Sequence, residues 1–196
     1  MEFGTGGRRG TTGLGSNRIN RITIGESAQA LCRYALSVDK KSKEKGVVIA
    51  CDTRLSSDDL SKFTAQVCVA NDLKVYLFDR FRATPELSFA VRHLGAAIGI
   101  VISASHNPPA DNGFKAYWSD GAQIVPPHDI GVVEEAAKGS EIATTDFNTA
   151  VESGKIVITG SEVDEAYTDA VVAESMSGQR NVSIVYSPLH GTGQTS

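Results

Sequence analysis

Ser105, His106 and Asn107 stand at the end of an apolar run in the stretch GIVISASHNPPADNGFKAYW, residues 99–118, and Pro108 and Pro109 follow at once. Proline fixes φ and has no amide donor, so a strand ending there continues neither as ladder nor as helix. A hydroxyl, an imidazole and an amide are therefore held on a restrained loop. Serine beside histidine suggests a hydrolase, but neighbours in extended backbone point to opposite faces, which makes His106 a poor base for Ser105. The G-x-S-x-G elbow of esterases is also missing, since Ser105 lies in Ser-Ala-Ser-His-Asn. Taken alone, Ser-His-Asn reads as a polar turn. Lys115 shifts the balance: Asp111-Asn112-Gly113 is expected as a tight turn that returns it toward the serine, and its ammonium is a compact charge suited to a phosphate.

A second candidate is the N-terminal FGTGGRRGTTGLGSNRINR, with Gly4, Gly6, Gly7, Gly10, Gly13 and Gly15 beside Arg8, Arg9, Arg18 and Arg21. Glycines let successive amides form an anion-binding nest, and arginine adds bidentate contacts to oxyanions. The same composition also fits a flexible, tag-like end. It is neither a dinucleotide fingerprint, because the third required glycine falls on Arg9, nor a Walker loop, because Gly-Lys-Ser/Thr is absent.

These groups need elements to hold them. Ile24, Ala28, Leu31, Ala35 and Val38 recur at helical spacing, with Lys40–Lys45 closing the helix. Val47–Ala50 reads as a strand, and Ser56-Ser57-Asp58-Asp59 as the start of a helix carrying Leu60, Phe63, Val67 and Ala70. Asp58 and Asp59 resemble a metal pair but fit the first helical turn better. Lys74–Phe78 is expected as a strand, Pro85 opens a helix through Leu94, and Ala96–Ala104 is the third strand. That order predicts an α/β fold, a sheet between two layers of helices, with ligands beyond the carboxyl ends of the strands, where Ser105 lies.

Phe114–Trp118 and Ala122–Val125 flank a hairpin-like Ser119-Asp120-Gly121 turn, and helices are expected near Ile130–Lys138 and Glu162–Met176, with 139–160 weakly patterned. Val182–Tyr186 reads as a further buried strand, running into a glycine loop that stops at Ser196.

The 196 residues, 41% hydrophobic, are enough for a sizeable core. With 19 basic and 23 acidic residues the net charge is -4, which gives no general attraction to nucleic acid or an anionic membrane, so any anion site is local. Cys32, Cys51 and Cys68 lack the spacing of a disulfide framework and read as buried thiols of a reducing compartment, the cytoplasm. The most apolar run, Ala96–Ala104, is too short to span a bilayer.

GIVISASHNPPADNGFKAYW resembles the phosphoserine signature of the α-D-phosphohexomutases, Thr/Ser-Ala-Ser-His-Asn-Pro followed by Asn-Gly-(Phe/Tyr)-Lys. FGTGGRRG resembles that family's opening motif, VVIACDTRLSS its second strand and Asp-Thr-Arg turn, and VYSPLHGTG the entry to its second domain. AYWSDGAQIVPPHD and NRINRITI are most similar to the branch with phosphoglucomutase/phosphopentomutase and glucose-1,6-bisphosphate synthase. Gly6 and Arg8 depart from the usual small and leucine residues.

The resemblance implies a three-layer α/β/α sandwich with a mixed, mostly parallel sheet: the family's first domain over 1–179, then a linker and the first strand of a truncated second domain over 180–196. It implies a sugar-phosphate mutase that moves a phosphoryl group between C1 and C6 (or C5) hydroxyls through phosphorylated Ser105 and a bisphosphate. Ser105, His106, Lys115 and Arg9 take the catalytic positions, and Thr5, Gly6, Arg9, Asn107 and Lys115 the phosphate-binding ones. Arg54 and His190 fall in matching motifs and read as structural. Mg²⁺ is expected on the Ser105 phosphate, its other ligands lying in a second domain, with a sugar bisphosphate as activator. The partners implied are a sugar phosphate and domains II–IV of the chain, with no turnover by these residues alone. The rival expectation is a non-catalytic sugar-phosphate or anion-binding module.

Overall fold

The computed structural model describes residues 6–176, 178 and 181–195. Strand β1 (Gly7–Thr11) leads into α1 (Arg21–Val38) and the short α2 (Ser42–Lys45). Then come β2 (Val47–Cys51), α3 (Ser57–Ala70), β3 (Val75–Phe78), α4 (Thr84–His93), β4 (Ile98–Ile102) and β5 (Asp111–Trp118). The order closes with α5 (His128–Ala137), α6 (Phe147–Glu152), β6 (Ile156–Thr159) and α7 (Ser161–Ala173). The sheet runs β1-β5-β4-β2-β3-β6. Its β4-β2-β3-β6 portion is parallel, and β5 lies antiparallel to both β4 and β1.

Alternation along the central strands makes the three layers. Val47, Ile49 and Cys51 of β2 and Ile98, Ile100 and Ile102 of β4 face a core closed by α1, α3, α5 and α6 through Leu31, Cys68, Val132 and Ala150. Val48, Ala50 and Val101 face the opposite side, where α4 and α7 supply Leu87, Val91 and Val163. Both faces are covered, so β2 and β4 are buried at every residue, which is why they read as unbroken apolar runs. Cys32, Cys51 and Cys68 are free buried thiols, and burial pushes Cys51 up to about 11. No helix among the described residues is long and apolar enough to cross a membrane.

Several expectations change. The glycine-rich opening is a strand from Gly7: an edge strand in register with β5, Arg9 opposite Gly113. The loop after it is tied down by Asn20, whose side chain caps α1 at the Ile22 and Thr23 amides while its Nδ2 donates to the carbonyls of Gly13 and Gly15 at 2.8 and 2.9 Å. Helix α1 stops at Val38, before the lysines, because the Asp39 carboxylate accepts the Lys41 amide and starts a new turn. Asp111-Asn112-Gly113 is no turn but the start of β5; the chain reverses earlier, over 105–110.

Ala122–Val125 forms only a bridge, Tyr117 opposite Gln123, because Pro126 and Pro127 have no amides to extend a ladder. Residues 139–160 hold α6 and β6. Val182–Tyr186, expected as a buried strand, is exposed and joins no strand among the described residues.

Candidate functional site

The helices after β2 and β3, α3 and α4, lie on opposite faces of the sheet, so the chain switches direction between neighbouring β2 and β4. A crevice opens at such a point beyond the carboxyl ends of the strands. Here it is an 840 Å³ cleft, whose walls include Asp52, Arg54 and Thr53 after β2, Ser103, Ser105, His106 and Asn107 after β4, and Arg82 and Thr84 before and at the start of α4. His190, Gly191 and Thr192 line its far side, where the Thr53 hydroxyl donates to the His190 carbonyl at 2.7 Å.

Ser105 is exposed at the mouth with φ 55°, in the left-handed region that a residue with a Cβ seldom adopts. Its amide donates to Ser103 Oγ at 2.9 Å. Lys115 Nζ donates to Ser105 Oγ at 2.7 Å and Arg9 Nη2 at 3.3 Å, so two cations converge on one hydroxyl. Antiparallel pairing puts them there: β5 carries Lys115 opposite Val101 of β4, and β1 lies on the far edge of β5 with Arg9 opposite Gly113. Gly113 permits the close approach, since a Cβ there would stand 2.7 Å from the carbonyl oxygens of both Arg8 and Ser103.

Asn107 bridges the cation and the loop. Its Oδ1 accepts from Arg9 Nη1 at 3.2 Å and its Nδ2 donates to Asp111 Oδ2 at 2.9 Å. That bond, with a second from the Thr11 hydroxyl, holds the Asp111 carboxyl below the usual carboxylate range. Burial lowers the Lys115 pKa, and the Arg9 guanidinium lowers it further.

Of the residues singled out in the sequence, Ser105, Lys115, Arg9 and Asn107 come together. His106 is exposed on the same loop and faces the cleft, while Lys115 and Arg9 hold the serine hydroxyl. Gly6 adjoins β5, its carbonyl accepting the Ala116 amide at 2.9 Å, and Thr5 lies outside the described residues. Asp58 and Asp59 sit in the first turn of α3.

Sequence reasoning passed over Asp52, Ser103 and Asn112, which buttress the loop from behind. Asp52 Oδ1 accepts the Ser57 hydroxyl at 2.6 Å, and fully buried Asn112 donates to Ser56 and Ser57 Oγ. Asn112 gives no signal in the sequence, because Asp-Asn-Gly has the composition of a turn and its burial shows only in the fold.

The described residues do not by themselves fit a resident Mg²⁺. No group of three or more His, Cys, Asp or Glu side chains among them could hold a metal ion. The carboxylates nearest the loop, Asp52 and Asp111, are engaged by Arg54 and Ser57 and by Asn107 and Thr11.

Residues 1–143 match the family described as Phosphoglucomutase/phosphomannomutase, alpha/beta/alpha domain I. The chain belongs to the phosphoglucomutase/phosphomannomutase family. Homo sapiens phosphopentomutase is 34% identical over 207 residues, covering 100% of this chain and 34% of that protein. Staphylococcus saprophyticus phosphoglucomutase is 37% identical over 198 residues, 98% of this chain and 35% of that protein. Mus musculus glucose 1,6-bisphosphate synthase is 44% identical over 140 residues, 68% of this chain and 22% of that protein. The chain thus spans about a third of the length of the first two. Among solved structures, a phosphoglucomutase/phosphomannomutase family protein of Burkholderia thailandensis has the same fold, with a TM-score of 0.65 at 23% identity over 88% of this chain and 35% of that one. The three-layer domain expected from the sequence is the phosphoglucomutase/phosphomannomutase domain I fold.

Proposed function

We propose that Ser105 is the phosphoryl carrier of a sugar-phosphate mutase, an intramolecular phosphotransferase acting between the C1 and C6 (or C5) hydroxyls of its substrate. The observation that carries this is the convergence of Lys115 and Arg9 on Ser105 Oγ at the mouth of a cleft. A phosphoserine bears roughly −1.5 to −2 charge near neutral pH, and phosphoryl transfer is catalysed mainly by positioning and charge neutralisation. Two fixed cations beside the hydroxyl supply both.

In the charging step the ester P–O bond of a sugar bisphosphate breaks and a P–O bond to Ser105 Oγ forms; the serine proton leaves Oγ and the sugar oxygen gains one. The discharging step is the reverse, with the other hydroxyl of the sugar as acceptor. Lys115, whose ammonium donates to Ser105 Oγ at 2.7 Å, is placed to neutralise the phosphate carried there. Arg9 spends one N–H on Asn107 and one on Ser105 Oγ, which leaves the rest of its five donors for phosphate oxygens. His106, exposed at the cleft, is within the loop that meets the sugar.

The test is a label chase. In a chain that also carries domains II–IV, radiolabelled glucose 1,6-bisphosphate should leave label on the denatured protein, and unlabelled glucose 6-phosphate should then remove it as bisphosphate. Label bound to the native chain but lost on denaturation would mark an anion-binding module instead.

A further inference from the structure

We infer that Arg54 is the positioning residue of the serine loop: it binds no phosphate and instead locks the loop backbone so that Ser105 Oγ is presented to Lys115 and Arg9. A guanidinium has five N–H donors in a fixed planar fork. In Arg54 all five are taken. Nε donates to Asp52 Oδ2 at 3.0 Å. Nη1 donates to the carbonyls of Pro108 at 2.7 Å and Asp111 at 2.9 Å, and Nη2 to those of Asn107 at 2.7 Å and Ser105 at 3.0 Å. The four carbonyls span the whole reversal from Ser105 to Asp111, a stretch in which Pro108 and Pro109 offer no amides and no ladder can form.

Arg54 is placed to do this by its own anchor. Asp52 Oδ1 accepts the Arg54 amide at 3.1 Å, Ser57 Oγ donates to the same oxygen, and Asn112 Nδ2 reaches Ser57 from β5 at 3.0 Å. The fork is therefore tied to the end of β2, the start of α3 and the first residues of β5 at once. Its side chain is only 11% exposed and its charge is met by Asp52, 14% exposed. Lys115 and Arg9 are in no ion pair among the described residues, so the charge open to an anion is theirs and not that of Arg54. The left-handed φ of Ser105 explains the need: an unfavourable backbone persists only where its surroundings over-determine it, and here its own carbonyl is one of the four held.

The test compares the 196-residue chain with Arg54→Lys and Arg54→Ala by amide hydrogen exchange. The probes are Ser105, Asn107 and Asp111, whose N–H groups bond to Ser103 Oγ, Ala104 O and Pro108 O, and the controls are Ile49 and Ile100 in the central strands. Arg54→Lys keeps the charge but has three donors on one nitrogen, and it should exchange about tenfold faster or more at the loop with the strands unchanged. Arg54→Ala should do the same, and added guanidinium ion, which fits the vacated fork, should restore protection. The second arm, run on a chain that also carries domains II–IV, is stoichiometric phosphorylation of Ser105 by glucose 1,6-bisphosphate, which rests on the carrier role proposed above. There Arg54→Lys should slow the saturated rate by about 30-fold with half-saturation changed less than about threefold. Wild-type loop exchange in Arg54→Lys would overturn the inference, as would a raised half-saturation at an unchanged saturated rate, the mark of a phosphate ligand. If the wild-type chain takes no phosphoryl group, the carrier role falls and the exchange arm alone decides for or against Arg54.

Discussion

Lys115 Nζ lies 2.7 Å from Ser105 Oγ because β5 runs back along β4 and sets Lys115 opposite Val101. Sheet register sets the Lys115 backbone beside the end of β4, so its side chain reaches the serine before any substrate arrives. Lys115→Met keeps an unbranched apolar stem one atom shorter and removes the charge. It should cut the rate of phosphoryl transfer to Ser105 by roughly thirtyfold to a thousandfold, the equivalent of about 2–4 kcal/mol of lost transition-state stabilisation, while Ser105 still slowly accepts phosphate. Single-turnover kinetics with glucose 1,6-bisphosphate read this directly; a wild-type rate would remove Lys115 from the chemistry.

The same lysine should weaken the fold. Burial and the Arg9 guanidinium lower its pKa in the folded chain, so between the folded and unfolded pKa values the unfolded chain binds more protons and stability rises with pH. Below the folded value the whole cost of the half-buried cation is felt. Lys115→Met should therefore melt higher than wild type at about pH 7, with the gap closing toward the unfolded lysine pKa of about 10.4. Thermal melts of both chains across this range check the sign, and a gap that does not narrow contradicts it.

Arg82 holds the opposite wall of the cleft. It is 1% exposed, donates to Asp164 of α7 at 2.7 and 2.8 Å and to Asp79 at 2.9 Å, and its amide bonds to the Cys51 carbonyl. Arg82→Ala removes one side of a buried charge cluster that also contains Glu86, and should cost about 3–5 kcal/mol in urea unfolding. A loss below about 1 kcal/mol, the range of exposed pairs, would show that the cluster is solvated.

The strands buried on both faces were legible because burial alone dictates their composition: Val47–Cys51 and Ile98–Ile102 admit no polar residue. β1 and β6 were not. Each sits at a sheet edge with partly exposed residues, and Gly7–Thr11 in particular carries two glycines and two arginines whose strand conformation comes from pairing with β5. Ser105, Lys115 and Arg9 were legible as a group through motif resemblance, but the path that joins them was misplaced, because Asp-Asn-Gly has the chemistry of a turn while Asn112 is in fact buried in β5. Val182–Tyr186 shows the converse: an apolar alternation that joins no strand among the described residues. Arg54 reads as structural in the sequence, and which carbonyls it holds leaves no trace there.

The carrier role of Ser105 is tested most directly by mapping where phosphate lands. A chain that also carries domains II–IV and its Ser105→Ala variant are incubated with glucose 1,6-bisphosphate and Mg²⁺, denatured, and examined by intact mass and fragmentation. The expected result is one acid-stable phosphate per chain, on Ser105, and none on Ser105→Ala. Phosphate on another residue, equal phosphate on the variant, or none on the wild-type chain would contradict it.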